Sequence, residues 1–142
     1  QFAIHVTVLL FCTRLAKRYI PFGPMNNVDS EFRPSVMNTI VFLLSIAQQV
    51  SVFVVNYKGR PFMQGLTDNR ALLNCLLAVG GIVLTCTAEI SPDLNEFMEL
   101  SPWPDRELQI RVAGYICLDF VSALVCDKII VRICHPGVNE IL

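Results

Sequence analysis

The sequence predicts an all-α membrane protein, a polytopic helical bundle of about three full transmembrane helices and one truncated helix. Residues 36–55 run for twenty residues without a charged side chain. At about 1.5 Å of rise per residue they form about 30 Å of helix, the thickness of a bilayer's hydrocarbon core. The composition agrees, because 54% hydrophobic and 16% charged residues lie outside the usual range for a soluble domain.

The apolar blocks follow one another along the chain, separated by connectors that contain proline, glycine and charged residues. Residues 1–17 give a partial span, because their apolar run of residues 2–13 is barely half of the length that a bilayer requires. Full spans are expected at about 36–55, 71–88 and 108–126. Because the first block is so short and has no initiator methionine, we expect the chain to be a piece of a longer protein.

Several function classes are excluded by composition and by missing motifs. A net charge of −1 argues against a nucleic-acid partner, since phosphate binding needs a surplus of Lys and Arg on one face. The six cysteines form no CxxC pair and lie at no zinc-finger spacing, so no metal site is predicted. No GxxxxGK[ST], GxSxG or HExxH motif occurs. We therefore assign no catalytic residue and no cofactor to this chain by itself.

A polar stripe runs along the second block. Its side chains are separated by seven, four and seven residues, and at 100° per residue they fall within about 20° of one line down a helix. Such a stripe faces lipid only at a cost, which leaves two interpretations: hydrogen bonding between helices, or the lining of a polar cavity. The four residues are Asn38, Ser45, Gln49 and Asn56.

Asp119 lies within the fourth block, where an acidic side chain requires a partner or water. Arg111 is two turns away and about 80° round the helix, so a direct pair within the helix is not expected. Two interpretations remain open, a buried hydrogen-bonded acid that fixes helix packing or an ion or proton site. His5 is interpreted as a helix-packing residue.

Residues 31–72 carry two linked motifs. A span entered through F-x-P-S-x-x-N is followed by Q-x-x-x-F-x-x-N-Y-x-G-x-P-F-x-x-x-L-x-x-N. This pattern resembles the C-terminal membrane region of the type V, subgroup A, P-type ATPases of the endoplasmic reticulum. The loop part of the motif contains Asn56, Tyr57, Gly59, Pro61 and Phe62.

The resemblance implies the C-terminal support helices of a ten-helix ATPase, namely the seventh (partial), eighth, ninth and tenth spans. The full-length enzyme would use ATP and Mg to extract or reorient transmembrane helices in the endoplasmic reticulum membrane. Its catalytic cytosolic domains are absent from this sequence. The implied partners are the lipid bilayer, the remaining transmembrane helices of the same ATPase and transmembrane-helix substrates.

The resemblance also implies an orientation, which the positive-inside rule does not decide because five basic residues fall on each side. The 56–70 loop would be cytosolic and the 89–107 loop lumenal.

Two other functions remain open at the level of sequence. One is a small non-catalytic polytopic membrane protein, or a pseudo-ATPase, that acts as a binding partner. The other is a fragment of a cation or polyamine P-type pump in which Asp119 is an ion ligand. Such a pump would belong to a sister subgroup of the P-type ATPases, and the motif in the 56–70 loop argues against it.

Overall fold

The computed structural model describes residues 1–19, 34–57 and 64–134. Within these ranges five α-helices follow one another: α1 (Phe2–Ala16), α2 (Val36–Asn56), α3 (Arg70–Thr87), α4 (Pro92–Phe97) and α5 (Arg106–Cys134). A short 3-10 turn extends α1 to Tyr19. The described ranges contain no strand. The prediction of an all-α fold is therefore confirmed.

Among the described residues, α2 and α3 are the two helices long and apolar enough to cross a membrane. The α2 helix has 21 residues and α3 has 18. The first helix is shorter, with 15 residues, whereas α5 has 29 and extends beyond the expected end at residue 126. Membrane insertion of α1 and α5 stays a prediction.

Local capping explains where the two apolar helices begin. The Ser35 hydroxyl accepts a hydrogen bond from the Asn38 backbone N–H at 3.2 Å, and the Asn69 side chain accepts one from the Leu72 N–H at 3.2 Å. Each cap satisfies one of the first N–H groups of a helix, which have no partner within it. The end of α3 turns sharply at Glu89, whose φ is 51°, and the Ile90 N–H returns to the Thr85 carbonyl at 3.1 Å.

The α2 helix occupies the centre of the bundle and packs against α1, α3 and α5. Small side chains at the α1 and α5 contacts, such as Ala16 and Ala123, are fully buried and let the helices approach closely. Among the described residues, a cluster of buried apolar side chains forms the core of the bundle: Val8, Cys12, Ala16, Ile40, Leu44, Val83, Leu108, Val112 and Ile116.

The hydrogen bonds at one end of the bundle define the helix directions. The Ser101 N–H donates to Thr39 Oγ1 at 2.8 Å, and Gln109 Nε2 donates to the Thr87 carbonyl at 3.1 Å. The N-terminal ends of α2 and α5 therefore lie at the same end of the bundle as the C-terminal end of α3. Tyr19, which follows α1, hydrogen-bonds the Asp105 carboxylate at this end too. Consequently α1 and α3 run antiparallel to α2 and α5.

Asp105 joins two of these helices outside the apolar blocks. Its Oδ1 accepts the Leu108 N–H at 2.6 Å, which caps α5, and the carboxylate also accepts the Tyr19 hydroxyl. The backbone hydrogen bond from Leu108, followed by the one from Tyr19, lowers the pKa of Asp105 below its ordinary value of 3.8. The same Tyr19–Asp105 hydrogen bond raises the pKa of Tyr19 above 10.0.

Stability should therefore depend on pH through Asp105. Because its folded-state pKa is the lower one, its stabilisation is fully present above pH 3.8 and is lost as the pH falls through the folded-state value. Asp105→Asn keeps a capping side chain but does not titrate. Thermal unfolding in micelles, followed by circular dichroism from pH 6 to pH 3, should show a steeper loss of stability in the wild type than in Asp105→Asn. Equal slopes would contradict the assignment.

Candidate functional site: a buried polar cluster between three helices

Asp119, His5 and Gln48 form a polar cluster where α5, α1 and α2 meet. His5 Nδ1 lies 2.8 Å from Asp119 Oδ2 and 3.0 Å from Oδ1. Gln48 Nε2 donates to Asp119 Oδ1 at 3.1 Å and to the His5 backbone carbonyl at 2.9 Å. One side chain from each of three helices therefore contributes to one hydrogen-bonded network.

The helix directions bring these residues together. Asp119 lies near the middle of α5, and Gln48 near the middle of α2, which runs parallel to it. His5 lies close to the start of α1, which runs in the opposite direction. Asp119 is 2% exposed and His5 is 9% exposed, so the ion-pairing atoms are buried, while Gln48 is partly buried.

The contact geometry assigns the imidazole proton. An ionised carboxylate accepts hydrogen bonds but donates none, so His5 Nδ1 carries the proton that faces Asp119. His5 Nε2 is buried and has no hydrogen-bond partner among the described residues. A proton on Nε2 would be a buried donor without an acceptor, so the geometry favours a hydrogen on Nδ1.

Chemically, the cluster is suited to joining helices. A buried charge retained in a protein is paired and hydrogen-bonded, and Asp119 accepts from both His5 and Gln48. Within the described ranges, no group of three or more His, Cys, Asp or Glu side chains could hold a metal ion. Arg111 pairs with Glu107 on its own helix, in keeping with the expectation that it does not reach Asp119.

The polar stripe of α2 lies on a different face from the cluster. All four of its side chains are exposed at the surface of the bundle, whereas Gln48, next to Gln49 in sequence, turns inward. Gln49 borders an apolar groove of about 270 Å³ between α2 and α3. The structure therefore brings Asp119 together with none of the stripe residues, which are Asn38, Ser45, Gln49 and Asn56.

The family-motif loop is described only at its borders. Asn56 ends α2, and the Tyr57 hydroxyl donates to the Gln64 carbonyl at 2.9 Å, which ties the two borders of the loop together. Gly59, Pro61 and Phe62 lie outside the described residues.

The sequence predicted that Asp119 needs a partner but identified neither His5 nor Gln48 as that partner. They lie 114 and 71 residues away, and nothing in the local pattern links them to Asp119. A usable signal was present in the expected reversal of direction between successive spans. This alternation makes the first span antiparallel to the fourth. It therefore limits which polar residues of the two spans can lie at the same depth in the membrane.

The fold and the buried cluster define a class, the all-α membrane bundles. No protein-family model matches the chain. It is 37% identical over 123 residues, 87% of its length, to the endoplasmic reticulum transmembrane helix translocase of Saccharomyces cerevisiae. It is 34% identical over 131 residues to the protein of the same name in Schizosaccharomyces pombe. It is also 33% identical over 137 residues to the probable manganese-transporting ATPase PDR2 of Arabidopsis thaliana.

By sequence the chain belongs to the type V, subgroup A, P-type ATPases, the family of the endoplasmic reticulum transmembrane helix translocases. It matches a small C-terminal part of them and spans about a tenth of their length. The expected family is confirmed. The names of the relatives and the two apolar helices also confirm the expected endoplasmic reticulum membrane location.

The cluster gives a prediction for Asp119. Asp119→Asn keeps an oxygen that accepts from His5 and Gln48 and removes the buried charge, so we expect folded yield and melting temperature close to the wild type. Asp119→Leu leaves His5 Nδ1 without an acceptor and removes one of the two acceptors of Gln48 Nε2, which costs about 1–3 kcal/mol. Melting of the purified chains in detergent, followed by circular dichroism, measures both. A Leu variant as stable as the Asn variant would contradict the network.

Proposed function

We propose that this chain is the C-terminal membrane-support part of an ATP-driven P-type translocase that moves transmembrane helices in the endoplasmic reticulum membrane. The observation that carries the proposal is the similarity of about nine-tenths of the chain to translocases of that name. The extraction or reorientation of helices, the use of ATP and Mg, and the helix substrates all belong to the full-length protein in this proposal.

The role of this part is mechanical support. The cluster of His5, Gln48 and Asp119 ties α1, α2 and α5 into one unit, and α3 packs on α2. A unit joined by buried hydrogen bonds suits a fixed frame against which other helices of an ATPase can move. In this proposal α1 and α5 cross the bilayer with α2 and α3.

The experiment that tests the proposal compares the chain with the intact protein that contains it. The 142 residues contain no phosphate-binding loop and no DKTG motif. The purified chain should therefore hydrolyse no ATP, whereas the intact protein should show vanadate-sensitive ATP turnover. Vanadate-sensitive turnover by the chain alone, or none by the folded intact protein, would refute the proposal. The second result would favour a pseudo-ATPase or a non-catalytic binding partner.

We also propose that the 56–70 loop faces the cytosol and that the 89–107 loop faces the lumen. The chain has no Asn-x-Ser/Thr sequence of its own, and two single substitutions create one. Glu99→Asn creates such a sequence with Ser101, at a backbone φ of 53° that asparagine tolerates well. Gly65→Asn creates one with Thr67. In microsomes, Glu99→Asn should be glycosylated and Gly65→Asn should not, and the reverse result would overturn the orientation.

A second candidate function is cation transport. One relative is named a probable manganese-transporting ATPase, and Asp119 is an acidic side chain buried within the bundle. As a transport ligand, Asp119 would be required for manganese-stimulated ATP turnover of the intact protein. As a packing residue, it would not. Normal folded yield of Asp119→Asn with complete loss of manganese stimulation would favour transport, whereas unchanged turnover would favour the translocase.

A further inference from the structure

The outward face of α2 carries a polar stripe between exposed apolar side chains such as Phe42 and Val52, whereas a lipid-facing helix is normally apolar throughout. The four stripe side chains, Asn38, Ser45, Gln49 and Asn56, are all exposed on the bundle. Asn38 and Asn56 lie near the helix ends, where interfacial water is within reach. Ser45 and Gln49 lie near the middle, and Gln49 is about 10 Å of helix away from Asn56. Lipid tails offer neither a donor nor an acceptor to these two side chains.

The described residues of this chain leave that face uncovered. The α1 and α5 helices pack on the opposite side of α2, where its buried residues Ile40, Leu44 and Ser51 lie. The α3 helix flanks the stripe and forms with α2 the groove of about 270 Å³ that Gln49 borders. None of the residues that the structure describes covers Ser45, Gln49 or this groove, so a further helix has room to pack there.

We propose that this face, the stripe of α2 together with the groove beside it, is the docking site of another transmembrane helix of the same polypeptide. That helix carries at least one hydrogen-bonding side chain opposite Ser45 or Gln49. The inference rests on the proposed function, because the chain spans about a tenth of its relatives' length and most of such a protein lies outside it.

A permanent partner fits this face better than a transient one. A substrate helix leaves after each cycle, and Ser45 and Gln49 would then face lipid without partners. A resident helix satisfies them throughout the cycle, and hydrogen bonds between membrane helices are a common means of fixing a contact. The apolar walls of the groove, which include Phe53, Leu72 and Leu76, suit an aliphatic or aromatic side chain of the same partner.

Photocrosslinking in the intact protein tests the proposal. A photoreactive amino acid replaces Gln49 in one variant and Ser45 in another, and the products are identified by mass spectrometry after membrane extraction. A matched variant carries the probe at Phe97, which is exposed in α4 and sets the background. We expect both stripe probes to join to a transmembrane segment of the same polypeptide, well above that background.

Three results would overturn the proposal: adducts with lipid only, adducts with a differently tagged second copy, or adducts with a different membrane protein. Vanadate-sensitive ATP turnover is measured on the same preparations. If the proposed function is wrong, the intact protein shows no vanadate-sensitive ATP turnover, whatever the crosslinks are. If only the docking site is wrong, the protein turns over ATP but the stripe probes give none of the expected crosslinked peptides. In a matched pair, Gln49→Leu should reduce the yield of the Ser45 crosslink, and Gln49→Asn should restore it.

Discussion

An ionisable side chain in the middle of an apolar helix must be satisfied inside the protein, and the arrangement of this bundle depends on how Asp119 meets that requirement. Its carboxylate accepts hydrogen bonds from His5 and Gln48, each on a different helix. Gln48 also donates to the backbone carbonyl of His5, so the network fixes main chain as well as side chains. Sliding or rotating α1, α2 or α5 would break at least one of these contacts.

The two faces of α2 have different roles in the bundle. Its inner face supplies Gln48 and the apolar side chains that pack on α1 and α5, while its outer face carries the polar stripe. The α3 helix takes no part in the polar network; it packs on α2, places Val83 in the apolar cluster and accepts a hydrogen bond from Gln109 of α5 at its Thr87 carbonyl. Four helices held together in this way suit a frame within a larger membrane protein.

The helices could be predicted from the sequence because their physical cause is local. A bilayer requires about twenty apolar residues for each span, and that length is directly visible in residues 36–55. The requirement of Asp119 for a partner was predictable for the same reason. The identity of that partner was not predictable. Helical periodicity shows that Ser45 and Gln49 lie on one line of α2, but it does not show which face of α2 the other helices cover. The adjacent residue, Gln48, lies about 100° round the helix and makes the contact.

The most direct test of the buried network is the magnetic resonance of its histidine. The chain has two histidines, so ¹⁵N-histidine labelling of a His135→Gln variant in bicelles reports His5 alone. The expected spectrum has the ring proton on Nδ1, exchanging slowly with water, and close in space to the side-chain amide of Gln48. A ring proton that exchanges as fast as in the unfolded chain, or one near lipid acyl groups only, would contradict the network on which the bundle depends.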